Sequence, residues 1–143
     1  MRIGFIMRIK QNIKKRERSI PDLPGQTART QQAYLRRMTE LAEFLSKDYE
    51  EQYRLTEDFA RWNLPEEIAL EWSDAEMMLH SQELADVLSG ERLAILQMIF
   101  DRFEELLPQG ETCGVWTHEA MRTHPFWLEQ RALACKFLNT ADN

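Results

Sequence analysis

The chain has 143 residues, of which 43% are hydrophobic and 29% are charged, and its formal net charge is −6. This length fits one domain with its own core and is too short for two. Glycine and proline occur only five times each, which argues against a turn-rich β sandwich, and no apolar run approaches the ~20 residues of a membrane span. We therefore expect a single-domain, all-α bundle of about five or six helices.

The charges are distributed unevenly along the chain. Residues 1–37 carry ten Lys or Arg against two acids, whereas residues 38–143 carry eight against 22. We assign residues 1–25 to a basic N-terminal arm with a Pro-rich linker, and residues 26–143 to an acidic all-helical domain.

Several features predict a cytoplasmic location. The two cysteines, Cys113 and Cys135, are too few for a disulfide framework and are expected to be reduced thiols. The apolar part of the N-terminus, residues 3–7, is shorter than the core of a signal peptide. Met7 is a second candidate start site.

The basic arm carries Ile3, Ile6, Ile9 and Ile13 at spacings of three, three and four. This pattern predicts a helix with a narrow isoleucine stripe and a cationic face, although a strand over residues 3–9 is also compatible with it. The arm either docks on its own domain or a twin subunit, or contacts nucleic acid or an anionic surface. The residues predicted to make the second kind of contact are Arg8, Lys10, Lys14, Lys15, Arg16 and Arg18.

A long helical pattern covers residues 27–62, with its stripe at Leu35, Met38, Ala42, Leu45, Tyr49, Gln52, Thr56 and Phe59. One unbroken helix of this length would be ~52 Å long, whereas a domain of this size is ~30 Å across. We favour a break near Ser46–Asp48, with Asp48 and Glu51 forming a capping box for a second helix. The alternative is one protruding helix that pairs with a second copy.

The next helices are marked by their first residues. Pro65, followed by Glu66 and Glu67, predicts a short helix over residues 65–72. Ser73 and Glu76 then have the spacing of a capping box, which predicts a separate helix that ends at Ser89–Gly90.

The most apolar run, residues 91–107, is predicted to be the central helix of the bundle. Its apolar residues recur at helical spacing, and Pro108 and Gly110 mark its end. Residues 108–116 read as a loop. Thr117 then begins a short helix, and His124–Pro125 begins the last helix, over residues 125–138.

One weak cluster of metal-ligand residue types lies at Cys113, His118, Glu119 and His124. Thiolate and imidazole groups are natural zinc ligands, but the cluster lacks the close pairs typical of zinc sites and the second histidine of H-E-x-x-H. We therefore predict neither a metal nor another cofactor, and expect these residues to be caps, surface groups and small core residues.

Other catalytic signatures are absent from the sequence. It contains no nucleophile elbow, no glycine-rich phosphate loop and no Glu-x-x-His pair of a di-metal centre. Among the aromatic residues, Tyr49, Trp62 and Trp116 are the predicted interface residues, because Trp and Tyr often anchor protein contacts.

The leading hypothesis is a non-catalytic protein that binds another protein, as a regulator, adaptor or inhibitor does, and forms a homodimer. A nucleic-acid-binding protein that uses the basic arm is the first alternative. A helical metalloprotein or enzyme built on the region of Cys113 to His124 is the second.

Overall fold

A computed structural model of the chain describes residues 26–82 and 88–140. Within these ranges the chain forms seven α-helices and one 3₁₀ helix, without any strand. The bounds are α1 Gln26–Leu45, α2 Tyr49–Leu55, α3 Asp58–Arg61, α4 Leu64–Gln82, α5 Gly90–Leu106, the 3₁₀ helix Leu107–Cys113, α6 His118–Thr123 and α7 Pro125–Asn139. The predicted all-α architecture is confirmed. The predicted arm and linker, residues 1–25, lie outside the described residues.

Helices α1 and α2 confirm the predicted break. The Asp48 side chain caps α2 by accepting a hydrogen bond from the backbone N–H of Glu51 at 2.9 Å. The Gln52 side-chain amide donates to the Phe44 carbonyl at 3.1 Å, which ties α2 to the end of α1. The stripe stays in the core on both sides of the break, with these residues buried: Met38, Ala42, Leu45, Tyr49, Gln52 and Thr56.

The stripe ends before Phe59, whose side chain is 50% exposed. Thr56 has extended backbone angles (φ −94°, ψ 139°), and the helical conformation resumes only at Asp58. The helical period is therefore interrupted, and a position counted from α1 no longer predicts which way Phe59 faces.

The predicted start of a helix at Ser73 is wrong, because α4 runs without interruption from Leu64 to Gln82. Ile68, Trp72 and Ala75 are buried at spacings of four and three, so one apolar stripe continues through Ser73. No glycine or proline lies near Ser73 to stop the helix. The capping residues therefore occur within a helix that tertiary packing keeps continuous.

Helix α5 is the central helix, and its N-terminus is capped by Ser89, whose hydroxyl accepts from the Arg92 N–H at 3.2 Å. It packs mainly against α7 and α4, while α1 covers α7 and α4 from the other side. Met98, which belongs to the apolar run predicted to form this helix, is the exception, since it is 52% exposed. The buried residues of α5 are Ile95, Leu96, Ile99, Phe100 and Phe103.

Aromatic rings join α4, α5 and α7 in the core. Phe103 contacts Trp72 at 6.3 Å and Trp127 at 5.7 Å between ring centroids. Trp127 is buried, and its indole N–H donates to the Val115 carbonyl at 2.7 Å, as a buried indole requires. This bond also fixes the connection between the 3₁₀ helix and α6.

The predicted loop after α5 is mostly a 3₁₀ helix, and its two glycines have positive φ angles of 59° at Gly110 and 74° at Gly114. These angles favour glycine, which has no side chain to clash there. Thr117 caps α6 and His124 caps α7, as predicted. Among the described helices, none combines the length and apolar character that a bilayer crossing requires.

Candidate protein-binding surface

Three exposed aromatic side chains lie on α2, on α3 and directly after α3. Tyr53 is 40% exposed, Phe59 is 50% exposed and Trp62 is 77% exposed. At ~150–250 Å² per side chain, the three exposed areas sum to roughly 300–400 Å². We call these three residues the aromatic surface.

His118 of α6 contacts two residues of the aromatic surface and the Tyr49 side chain. Its Nε2 lies 3.3 Å from the Trp62 carbonyl oxygen, and its Nδ1 lies 2.7 Å from the Tyr49 hydroxyl. A carbonyl only accepts, so Nε2 carries the proton, and in the neutral ring Nδ1 then accepts from the Tyr49 hydroxyl. The ring of Tyr53 lies 6.1 Å from the imidazole. His118 thus joins the two ends of the aromatic surface.

Tyr49 is held by a second residue of α6. The Arg122 guanidinium lies 4.5 Å from the centre of the Tyr49 ring and forms an ion pair with Glu50 at 3.0 Å. Burial raises the pKa of the Tyr49 phenol, and the Arg122 charge opposes this rise. Tyr49 therefore stays a neutral hydrogen-bond donor at physiological pH.

Arg61 connects α3 to α2 at the edge of the aromatic surface. Its Nε donates to the Tyr53 carbonyl at 2.9 Å, and its guanidinium lies 4.6 Å from the centre of the Tyr53 ring. It also pairs with Asp58 at 2.6 Å. These contacts hold the short helix α3, which has too few turns to be stable alone.

Arg54 and Glu51 form a further ion pair at this edge, with Arg54 Nε donating to Glu51 Oε1 at 2.9 Å. The hydrogen bond from Arg54 lowers the pKa of the Glu51 carboxyl. The aromatic surface is therefore bordered by ionised side chains of both signs. Such a border resembles the polar rim around the apolar centre of a protein interface.

The three predicted interface residues have different environments. Trp62 is the most exposed of the large apolar side chains whose exposure the structure describes. Tyr49 is only 6% exposed and supports the aromatic surface through His118. Trp116 is half-buried and packs edge-on against Trp127 at 6.1 Å.

The four residues weighed as metal ligands have separate roles. His118 bridges Tyr49 and Trp62, and His124 Nδ1 accepts from the Phe126 N–H at 3.0 Å as the cap of α7. The Cys113 thiol lies 3.3 Å from the Gly110 carbonyl, and Glu119 is exposed and pairs with Arg122 at 3.6 Å. Within residues 26–82 and 88–140, these four do not form a cluster with metal-ligand spacing.

One group of acids does have that spacing: Glu76, Asp101 and Glu104. The Gln97 amide donates to Glu76 at 3.2 Å and to Asp101 at 2.8 Å. The two exposed members, Asp101 and Glu104, are open to water. The group is thus compatible with an ordinary acidic surface.

The residues of the nucleic-acid alternative lie outside the described residues; they are Arg8, Lys10, Lys14, Lys15, Arg16 and Arg18. The exposure of Tyr53 and Phe59 and the role of His118 were not predicted from the sequence. One signal was available: two tyrosines, a phenylalanine and a tryptophan lie within the fourteen residues 49–62. His118 lies 56 residues beyond Trp62 in the chain, and no periodicity connects the two.

No protein-family model, no curated protein and no solved structure matches this chain.

Proposed function

We propose that this chain is a non-catalytic protein-binding domain whose aromatic surface contacts its partner. The observation that carries the proposal is Trp62, which is 77% exposed while its backbone carbonyl is held by His118. Tryptophan, tyrosine and arginine dominate the binding energy of protein interfaces. Here Arg61 lies over the Tyr53 ring, and Trp62 follows Arg61 in the chain.

The residues that hold the aromatic surface in place favour binding. His118, Arg122 and Arg61 fix the backbone and rings around it before any partner arrives. A preorganised surface loses less conformational entropy when it binds. We therefore assign these three residues to positioning, and Trp62 and Phe59 to direct contact.

The charge around the surface suggests the kind of partner. Six acids and two arginines lie in residues 48–66. A border with more acids than cations around an apolar centre is complementary to a basic partner surface, and such complementarity speeds association and excludes acidic competitors. A regulator, adaptor or inhibitor of a basic protein fits this description.

Self-association and a cytoplasmic location belong to the same proposal. A second copy of the chain carries the same acidic surface and the same cationic N-terminal segment, so the charges of two copies are complementary. Both cysteines, Cys113 and Cys135, are free thiols, which is the usual state of cysteine in the cytoplasm.

Trp62→Ala and Phe59→Ala, compared with the wild type and Met77→Ala, test the proposal. Met77 is a matched control because it is a large apolar residue with 74% exposure on α4. Proteins captured by the wild type are identified, purified and measured by calorimetry, and self-association is measured by sedimentation. Trp62→Ala should weaken the measured binding at least tenfold, as a hot-spot residue does, and Met77→Ala should leave it unchanged. If Trp62→Ala binds every partner as the wild type does, the aromatic surface is not the binding site.

A further inference from the structure

The aromatic surface carries an excess of negative charge. Residues 47–66 contain six acids and three cations, which are Lys47, Arg54 and Arg61, and Arg122 of α6 adds a fourth cation through its ion pair with Glu50. Acids therefore outnumber cations by six to four. Asp58 is 93% exposed in its ion pair with Arg61, and Glu66 is exposed at the start of α4. A ligand of this surface should combine apolar side chains with positive charge.

The chain itself contains a segment with that combination. Residues 2–18 carry seven Lys or Arg and one acid, together with isoleucines at positions 3, 6, 9 and 13. On a helix, spacings of three and four place these isoleucines on one side, with cations beside them. The surface is apolar and acidic, and the segment is apolar and basic.

The connection to the described helices is long enough for the segment to reach the surface. Seven residues, 19–25, separate it from α1 and span up to ~25 Å when extended. As a helix, the 17 residues of the segment would add ~25 Å. Helix α1 has 20 residues and a length of ~30 Å. The residues of the aromatic surface, at positions 53, 59 and 62, follow its C-terminal end in the chain.

We propose that residues 2–18 of this chain are the ligand of the aromatic surface, with the isoleucine stripe against Phe59 and Trp62 and the cations against the acids of residues 57–66. This proposal rests on the proposed function, since it requires the aromatic surface to be a binding surface. Within one copy the segment occupies the surface. Between two copies it joins them into a dimer.

Zero-length carbodiimide cross-linking of the full chain, followed by mass spectrometry, tests the proposal. This reagent joins a lysine to a carboxylate only when the two are in direct contact. Lys10, Lys14 and Lys15 should cross-link to Glu57, Asp58 and Glu66 several-fold more often than to Glu104 and Glu105, the exposed acids of α5. This preference for Glu57, Asp58 and Glu66 should decrease in the double variant Trp62→Ala/Phe59→Ala and at high salt concentration. A mixture of isotope-labelled and unlabelled protein shows whether the contact is within one copy or between two, and either result supports the proposal.

A second measurement uses the exposure of the Trp62 indole. Acrylamide should quench tryptophan fluorescence more strongly in Arg8→Glu/Arg16→Glu than in the wild type, because charge reversal releases the segment. Two results would overturn the proposal. One is equal cross-linking of the lysines to the acids of residues 57–66 and to Glu104 and Glu105. The other is equal acrylamide quenching in the wild type and in Arg8→Glu/Arg16→Glu. If these results occur while Trp62→Ala still loses an external partner, the proposed function stands and the ligand is another protein. If Trp62→Ala changes no binding at all, both proposals fail.

Discussion

The hydroxyl of Tyr49 donates a hydrogen bond of 2.7 Å to Nδ1 of His118, a residue 69 positions away in the chain. This bond joins α2 to α6, and the other nitrogen of the same ring holds the Trp62 carbonyl. The position of the most exposed aromatic residue in the described chain thus depends on a contact between two distant helices.

Tyr49→Phe and His118→Ala should each lower the free energy of unfolding by about 1 kcal/mol, the usual contribution of one such hydrogen bond. The double variant should lose less than the sum of the two single losses, because both remove the same bond. Urea unfolding measures all three. Tyr53→Phe is the control, since its side chain is 40% exposed, and it should change stability by less than about 0.5 kcal/mol. Additive losses in the double variant would show that the bond contributes nothing.

The raised pKa of Tyr49 predicts a loss of stability in alkali. Burial raises this pKa above the ordinary value of 10.0, so the unfolded chain releases the phenolic proton at a lower pH than the folded chain. The stabilisation is therefore complete below pH ~10 and is lost as the pH rises through the folded pKa. The stability of the wild type relative to Tyr49→Phe, measured by urea unfolding, should fall above pH ~10. A difference that stays constant across this range would contradict the assignment.

Arg37 and Glu71 form an ion pair at 2.7 Å between α1 and α4, with side chains only 2% and 1% exposed. Arg37→Met should cost about 3–5 kcal/mol, because it leaves a carboxylate in the interior without this partner. Adding Glu71→Leu should recover part of the loss. The exposed pair Arg102–Glu129, at 3.0 Å, is the control, and Glu129→Ala should cost at most about 1 kcal/mol. A loss below about 1 kcal/mol in Arg37→Met would show that the buried charge is compensated by other groups.

Neighbouring residues of α5 should respond very differently to truncation. Ile99 is 0% exposed and Met98 is 52% exposed. Ile99→Ala should lower the free energy of unfolding by about 2–5 kcal/mol, through lost burial and the cavity that remains. Met98→Ala should change it by less than about 0.5 kcal/mol. Thermal unfolding of both variants measures the contrast. Similar small losses would mean that α5 is not the centre of the core.

Local sequence signals were sufficient where one helix begins or ends. Asp48 and Glu51 have the spacing of a capping box, and the structure forms its Asp48 half, since Asp48 accepts from the Glu51 N–H while the Glu51 carboxylate accepts from Arg54. Thr117 and His124 cap their helices in the same way. At Ser73 the same kind of signal failed, because a cap competes with a continuous apolar stripe. The burial of Ile68, Trp72 and Ala75 on one face prevailed.

The sequence by itself determined the helical class, the break before Asp48 and the central position of α5, because periodicity and capping act over one or two helical turns. Only the tertiary structure decided which aromatic residues face solvent. Tyr49 and Phe59 belong to one sequence stripe, yet Tyr49 is 6% exposed and Phe59 is 50% exposed. The difference arises because α3 starts in a new direction and α6 covers Tyr49 but leaves Phe59 open. Exposure of this kind depends on contacts between residues far apart in the chain, and no local pattern encodes them.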